Sequence, residues 1–352
     1  MKHSRIGMDI SKHIFHIVEL NHAGKIKTRR KLRRNQVLKW FANHEPCEVG
    51  MEACGGSHYW GRELRKLGYH VKLLPAQHVK AYVMGNKNDY NDAVAIAEAM
   101  DRPRIHCVAI KTVEQQDIQA LHRMRKALVE ERVALCNQLR GLISEYGICI
   151  NQGIRALRTA IPHLLEDAEN GLTDLFRELL QQKYQQLQEL DEHVAYFTQK
   201  MDEQAKQNEV IKRLQTIPGF GPIVASTFHS VIGDGQGFAK GRDVSASLGL
   251  VPRQHSTGGK DVLLGISKRG DKYLRSLLVH GARSVVKHAE KKEDALSRWV
   301  MRLSERRGKN KATVALANKL ARIAWVVTTK GMSYEPRYLA NNTAQPLNME
   351  VR

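Results

Sequence analysis

The sequence lacks the cysteine patterns that would indicate a disulfide scaffold or a structural zinc site. Its five cysteines, at positions 47, 54, 107, 136 and 149, form no CxxC pair and have no Cys/His spacing of the zinc-finger type. We therefore expect reduced thiols, most of them structural.

Long apolar runs are also missing. No stretch of eighteen apolar residues is present, and residues 1–15, MKHSRIGMDISKHIF, lack the continuous apolar core of a secretory signal. These absences predict a cytoplasmic protein with no membrane partner.

Acidic residues are scarce relative to basic ones. Asp and Glu total 36 against 56 Lys and Arg, a formal net charge of +20, which favours a polyanionic partner. Residues 1–110 carry a net charge of +9, residues 111–206 carry −3, and residues 207–352 carry +14. This distribution predicts two basic nucleic-acid-facing modules joined by a spacer. With the changes of period described below, it predicts domains at 1–110, 111–206 and 207–340, followed by a tail at 341–352.

The first region is predicted to be α/β. Five short β-prone runs, RIGMDIS, HIFHIVEL, IKTRRKL, EVGME and HVKLLP, are interleaved with helical segments such as HYWGRELRKLG and NDAVAIAEAM. Three strands, a helix, a strand, a helix, a strand and a helix is the order of the ribonuclease H fold.

Residues 111–206 change to a helical period. Apolar residues recur at three-four spacing from Ile118 to Tyr146, and again from Leu172 to Met201. Two long helices are predicted, either an antiparallel pair or a dimerising coiled coil.

The third region is predicted to be mainly helical and opens with two apolar-periodic segments joined by PGFGP. This is a helix-hairpin-helix pattern, in which the turn at Gly219 and Gly221 and the following helix N-terminus offer backbone amides to a phosphate. A helical hairpin with a purely structural role is the alternative.

Four carboxylates occupy positions that suit metal-dependent phosphoryl transfer. Asp9 lies in the first strand, Glu52 ends the fourth, and Asp89 and Asp92 are three residues apart at the start of a helix, on one face. The first and fourth strands of a ribonuclease H fold are adjacent. Two Mg²⁺ ions roughly 4 Å apart need such a cluster to activate the attacking oxygen and stabilise the leaving one. Each residue alone has a plain alternative, a helix cap or a solvated strand end.

The chain resembles the DEDD transposases of bacterial insertion sequences, which are also known as RNA-guided, bridge-RNA or seeker-RNA recombinases. These transposases are relatives of the Piv-type DNA invertases. The resemblance covers most of the chain. Its motifs are GMDISK, GMEACGGSHYW, NDYNDA, LQTIPGFGP and, most specifically, SLGLVPRQHSTGGKDVLLGISKRGDKYLR. This chain has Lys87-Asn88 where the family usually has Lys-Thr, and Thr257 between the motif serine and its glycines.

The resemblance implies a RuvC-like N-terminal domain, a coiled-coil insertion and a C-terminal transposase domain. It also implies that a serine attacks a DNA phosphodiester and forms a covalent phosphoserine link, with Ser256 the favoured nucleophile and Thr257 the alternative. An element-encoded noncoding guide RNA would choose the DNA by base pairing. We expect a homo-oligomer, a dimer assembling to a tetramer, in which the carboxylates of one subunit act beside Ser256 of another.

Basic side chains would hold the nucleic-acid backbone. The serine segment contributes Arg253, Lys260, Lys268, Arg269 and Arg275, and the basic run at residues 25–34 contributes Arg29, Arg30 and Arg33. A solvated basic strand or loop is the alternative for each.

Two other functions compete. A hydrolytic junction resolvase would use the same carboxylates with water as the nucleophile, leaving Ser256 dispensable. A nucleic-acid-binding scaffold with a degenerate nuclease fold would need none of the four carboxylates.

Overall fold

The computed structural model describes residues 4–86, 88–103 and 105–336, and the chain divides into two compact units. Unit 1 consists of Met1–Gln116 and Ile232–Ser247, and unit 2 of Asp117–Val231 and Leu248–Arg352. The predicted three-domain division stays a prediction, and its tail at 341–352 lies outside the described residues.

A five-stranded sheet forms the centre of unit 1. Its strands lie in the order β3-β2-β1-β4-β5; β1 to β3 are antiparallel neighbours, and β1, β4 and β5 run parallel. Their bounds are β1 Arg5–Asp9, β2 Ile14–Leu20, β3 Ile26–Arg33, β4 Glu48–Glu52 and β5 His70–Leu74.

Helices follow the strands in the predicted order, so the mixed α/β character of this unit is confirmed. One short helix, α3, was not predicted. Helix α2 ends just before Gly68, which takes a positive φ of 86°, as expected for a helix stop. The helices of this unit are α1 Val37–Ala42, α2 Ser57–Lys66, α3 Ala76–Val79, α4 Asp89–Ala99 and α10 Gly241–Ser247.

The strand side chains alternate between the two faces of the sheet. Ile6 and Met8 of β1 join an apolar cluster with Trp60 of α2, whereas Val18 of β2 packs with Ala93 of α4. Helices α1 and α2 therefore cover one face, and α4 covers the other.

Two glycines allow α4 to lie directly against the sheet. A Cβ on Gly7 of β1 would lie 2.0 Å from the Ala93 carbonyl oxygen, and one on Gly50 of β4 would lie 2.3 Å from the Met100 sulfur. The far end of the helix is fixed by Arg5, which donates to the Ala97 carbonyl (3.1 Å) and pairs with Asp101 (2.8 Å). This contact determines where α4 begins relative to the strand ends.

Unit 2 is mainly helical. Arg125 donates to Thr198 (2.7 Å) and Arg132 to Asp191 (2.9 Å), so later residues of the first long helix contact earlier residues of the second. The two long helices are thus an antiparallel pair within one chain, and the dimerising coiled coil stays a prediction. The first helices of this part are α5 Val113–Ser144, α6 Ile154–Glu166 and α7 Asp174–Gln207.

The rest of the described chain adds shorter helices and one hairpin. These elements are α8 Glu209–Gln215, α9 Pro222–Ile232, β6 Pro252–Gln254, β7 Leu263–Ile266, α11 Lys272–His288, α12 Ala295–Arg307 and α13 Lys309–Lys330.

A buried histidine joins three helices of unit 2. The Nε2 atom of His122 on α5 lies 2.8 Å from Ser226 Oγ on α9, and Nδ1 lies 3.5 Å from the Tyr273 hydroxyl on α11. Burial, aided by nearby Arg125, lowers the pKa of His122 to about 4, so the ring is neutral near pH 7.

All five cysteines are free thiols, as expected, although only Cys136 is fully buried. Within the described residues, no helix is both long and apolar enough to cross a membrane.

We predict that Gly7→Ala destabilises the protein by at least the ~1–3 kcal/mol typical of core overpacking, because its methyl group would meet helix backbone that cannot rotate away. Urea unfolding followed by circular dichroism measures this. Gly55→Ala is the matched control, since a Cβ there meets nothing within 4 Å. Equal midpoints for the two variants would contradict the tight helix-sheet contact.

Candidate functional site

The four predicted carboxylates belong to three elements that meet at one edge of the sheet in unit 1. Asp9 is the last residue of β1, and Glu52 is the last residue of β4. The two strands are parallel, with Met8 opposite Met51. Asp9 and Glu52 are the next residues on each strand and therefore lie side by side. Because α4 is pressed against both strands, its first turn brings Asp89 and Asp92 to the same edge.

The start of α4 is set by its N-cap. The Asn88 side chain accepts a hydrogen bond from the Tyr90 amide at 2.9 Å, so the helix begins at Asp89. Threonine and asparagine are both favoured at helix N-caps, so an asparagine suits this position as well as the threonine expected from the resemblance. Lys87 lies outside the described residues.

The electrostatics show that the carboxylates act on one another. Burial, followed by repulsion from Asp92, Asp89 and Glu52, raises the pKa of Asp9 to about 6. Burial and Asp92 also raise the pKa of Glu52. Like charges held this closely disfavour full ionisation unless a cation neutralises them.

His16 belongs to the same cluster and was missed from the sequence. It lies on β2 directly opposite Asp9, and its Nδ1 atom is 3.3 Å from Asp89 Oδ2. Its ring is buried and lies edge-on to Tyr90, with centroids 4.8 Å apart. One ligand atom from each of Asp9, His16 and Asp89 falls within 4.8 Å of the others. The strand register brings His16 here, and the residue pattern alone does not specify that register.

This donor set fits a hard divalent cation. Carboxylate oxygens are the ligands that Mg²⁺ and Mn²⁺ prefer, and an imidazole nitrogen suits the transition metals. A bound cation would offset the repulsion that raises the pKa values of Asp9 and Glu52.

Ser256 lies in unit 2, on the exposed β6-β7 hairpin. Its hydroxyl donates to Asp261 Oδ1 at 2.7 Å, and the Gln254 amide donates to both Ser256 Oγ (2.8 Å) and Asp261 Oδ1 (3.1 Å). The serine oxygen therefore has a carboxylate acceptor across the hairpin. Neither Asp261 nor Gln254 was singled out from the sequence.

The hairpin is closed tightly at its tip and its base. At the tip, Thr257 pairs with Lys260 around Gly258 and Gly259, whose φ values of 54° and 76° suit a two-residue primed turn. At the base, the Lys268 amide donates to the Gly249 carbonyl at 3.1 Å. The intervening Thr257 is thus the first residue of the turn, and Ser256 stands just before it.

The basic residues of the serine segment divide into two groups. Arg253, Lys260, Lys268 and Arg269 are exposed. Arg275 is 9% exposed, and its Nη1 donates to the carbonyls of Leu248 (3.0 Å) and Arg269 (2.7 Å). Arg275 therefore supports the loop from inside, and its buried position does not fit the predicted role at the nucleic acid.

The PGFGP turn lies between α8 and α9. Gly219 packs against α11, because a Cβ there would lie 2.7 Å from the Gly281 carbonyl oxygen. Gly221 precedes α9 with open space around its Cα. Of the two predicted glycines, only Gly219 has a packing role, and phosphate binding at either glycine stays a prediction.

Arg29, Arg30 and Arg33 lie exposed on β3, the edge strand of the sheet. The Arg29 guanidinium is 5.9 Å from the Tyr90 ring centroid, and Tyr90 in turn contacts His16. The basic strand therefore borders the carboxylate cluster.

Two family models match the chain. A DEDD transposase model of the IS110 type matches residues 6–148, which include the four carboxylates. A second model, described as Transposase IS116/IS110/IS902 family, matches residues 211–297, which include Ser256.

Similar proteins align over nearly the whole chain. A probable family 20 transposase of Pseudomonas aeruginosa is 44% identical over 96% of this chain and 100% of its own length. The transposase for insertion sequence element IS1111A of Coxiella burnetii is 44% identical over 94% of this chain and 90% of its own length. The transposase for insertion sequence element IS1328 of Yersinia enterocolitica is 42% identical over 93% of this chain and 97% of its own length.

We predict that Asp9→Asn stabilises the metal-free protein by several degrees near neutral pH. The folded-state pKa of Asp9 is raised, so between pH 3.8 and about 6 the folded protein holds a proton that the unfolded chain has lost. Stability therefore falls as pH rises through that window, and the amide removes the effect. Thermal unfolding in chelator near pH 4 and near pH 7 measures it.

Glu45→Gln, at an exposed carboxylate outside the cluster, is the control for this measurement. Added Mg²⁺ or Mn²⁺ should raise the midpoint of the wild type more than that of Asp9→Asn. An Asp9→Asn advantage that is equal at both pH values would rule out the charge cluster as its cause.

Proposed function

The chain belongs to the IS116/IS110/IS902 family of DEDD transposases and is a DNA transposase, and we propose that it cuts and rejoins insertion-sequence DNA through a covalent phosphoserine intermediate. The observation that carries this proposal is the pairing of Ser256 with Asp261 on an exposed basic hairpin, in a chain that also clusters four carboxylates.

We assign unit 1 to the RuvC-like ribonuclease H fold. Support comes from the strand order β3-β2-β1-β4-β5, with an antiparallel β1-β2-β3 meander beside parallel β1, β4 and β5. It also comes from the position of the acids at the ends of β1 and β4 and at the start of α4.

The DEDD family generally uses divalent metal ions. In this chain Asp9, Glu52, Asp89 and Asp92 would hold them, with Mg²⁺ the proposed species and two ions the proposed number. When bound, such ions stabilise charge on the attacking and leaving oxygens of a phosphoryl transfer. His16, through its contact with Asp89, would keep that carboxylate oriented toward the cluster.

Ser256 is the proposed nucleophile. A serine hydroxyl is a weak nucleophile at neutral pH, and Asp261 is placed to accept its proton as the Oγ-phosphorus bond forms. The bond from phosphorus to the bridging DNA oxygen breaks in the same step, and that oxygen leaves on the cut strand. Arg253 and Lys260 on the same hairpin would hold the non-bridging oxygens. Attack of the hydroxyl of a new strand end on the phosphorus then breaks the Oγ–phosphorus bond, restores a DNA phosphodiester and returns the proton held by Asp261 to Ser256.

Other surfaces would hold the nucleic acids. Arg29, Arg30 and Arg33 on β3, Lys268 and Arg269 after the hairpin, and the amides at Gly221 and the first turn of α9 offer phosphate contacts, the last as a helix-hairpin-helix motif. We further propose that an element-encoded noncoding RNA selects the DNA, which agrees with the net charge of +20. The proposed assembly is a homo-oligomer in which the carboxylates of one subunit serve Ser256 of another.

We predict that Ser256→Ala abolishes a covalent protein-DNA adduct while DNA binding persists. The assay incubates the protein with Mg²⁺, the noncoding RNA flanking its gene and labelled junction DNA, followed by denaturing electrophoresis. Thr257→Ala is the matched control and should retain the adduct, and Asp9→Ala should lose it. Free cleaved ends that persist in Ser256→Ala would instead indicate a hydrolytic nuclease.

We predict that His16→Ala weakens divalent-metal binding by about 10- to 100-fold, the range for losing a partner that orients a metal-binding carboxylate. Titration of Mn²⁺ monitored by thermal unfolding measures this. His22→Ala, at an exposed histidine in the β2-β3 turn, should bind as the wild type does. Unchanged affinity in His16→Ala would remove His16 from the site.

A further inference from the structure

A concave site lies at the edge of the central sheet in unit 1 where β2 begins and β3 ends. It is a cleft of about 640 Å³ between the start of β2, the end of β3, the turn that follows β3, and α2. Its walls include Ile14, Arg33, Arg34, Leu38, Tyr59 and Trp60. Of these residues, only Arg33 is among the phosphate contacts proposed above, and none is assigned to the metal site or the nucleophile.

The aromatic wall of the cleft consists of one buried ring, Trp60, and one partly exposed ring, Tyr59. Trp60 is 2% exposed and is held edge-on by Phe15, with ring centroids 4.9 Å apart. Tyr59 packs against Trp60 at 5.2 Å yet remains 41% exposed. A flat ligand could therefore stack on Tyr59 without disturbing the core beneath it.

The cationic wall stands beside the aromatic one. The Arg34 guanidinium lies 5.2 Å from the Trp60 ring centroid, and Arg33 and Arg34 have exposed side chains and no acidic partner among the ion pairs of the described residues. The exposed Tyr59 ring and the two guanidinium groups together suit a ligand that is flat and anionic.

We propose that this cleft binds an unpaired nucleotide, with its base on Tyr59 and its phosphate on Arg33 and Arg34. Stacking on an aromatic ring requires a free base face, and a paired, stacked duplex does not offer one. Apolar Ile14 and Leu38 line the same cleft and would exclude water from the base. Guanidinium groups match phosphate oxygens in geometry as well as charge.

The position of the cleft fits a role close to strand exchange. The start of β2 pairs with the end of β3, as Ile14 opposite Arg33, and His16 of β2 lies opposite Asp9. The cleft and the carboxylates are therefore at the same edge of the sheet. Exchange of strands leaves nucleotides unpaired, and this edge is where such a nucleotide would be held.

The test is equilibrium binding of fluorescent oligothymidylate, oligouridylate and duplex DNA to the full chain in EDTA. Tyr59→Ala and Arg34→Gln should each weaken single-strand binding about tenfold, within the range for losing one base stack or one phosphate contact. Tyr59→Phe should bind as the wild type does. A 5-iodouracil-substituted strand should photocrosslink to the peptide carrying Tyr59 and Trp60.

Two matched controls separate the cleft from general charge and aromatic effects. Arg65→Gln removes an exposed arginine of α2 that is outside the cleft, and Tyr196→Ala removes an exposed aromatic ring of unit 2. Arg65→Gln should change the logarithm of the single-strand affinity by less than half as much as Arg34→Gln does, and Tyr196→Ala by less than half as much as Tyr59→Ala does. Duplex binding should be nearly unchanged in Tyr59→Ala.

A loss on only one of the two single strands would support the cleft and identify its source as DNA or RNA. Wild-type affinity of Tyr59→Ala for both single strands, or an equal loss on the duplex, would overturn the proposal. The assay needs neither metal nor cleavage, so its outcome is independent of the Ser256 adduct experiment.

Discussion

The close contact between α4 and the central sheet is the constraint on which the rest of unit 1 depends. Gly7 and Gly50 remove the side chains that would hold the helix away, and the helix contributes two small buried residues, Ala93 and Ala97, to the same contact. A side chain at Gly7 would displace the helix, because it would meet the backbone at Ala93 and Ala97. The carboxylates of α4 would then no longer meet those of β1 and β4, because packed interiors do not deform smoothly.

This packing holds together groups that repel each other. The raised pKa of Asp9, about 6, reflects both its burial and three neighbouring carboxylates. The folded protein therefore accepts an unfavourable charge cluster at the strand ends, and the stability of the α4 contact and the Arg5-Asp101 ion pair offsets it. Local conflict of this kind is expected where a site is organised for a ligand, since cation binding converts the repulsion into attraction.

Much of unit 1 could be predicted because its signals are local: short β-prone runs, a glycine stop at Gly68 and two acids at helical spacing. His16 could not be found that way, since its place opposite Asp9 depends on the hairpin register. Arg275 was misplaced for a different reason. It stands in a basic run, but it shares a helix face with Leu278 and Ala282, at spacings of three and seven, and that face is buried. The helical period predicts a buried Arg275, whereas the local run of basic residues suggested an exposed one.

The carboxylate cluster and the proposed nucleophile lie on structural elements that differ in how well they are packed. The carboxylates lie on a packed sheet and helix, whereas Ser256 lies on a two-stranded hairpin whose residues 252–265 are all exposed, including Leu263 at 68%. A hairpin of this size is marginally stable alone, and here its base is held by Gly249 and Arg275. Nucleic acid bound by Arg253 and Lys260 would add contacts that the hairpin lacks. Ordering of the serine would then accompany DNA binding, and the nucleophile would be fully positioned only when its substrate is in place.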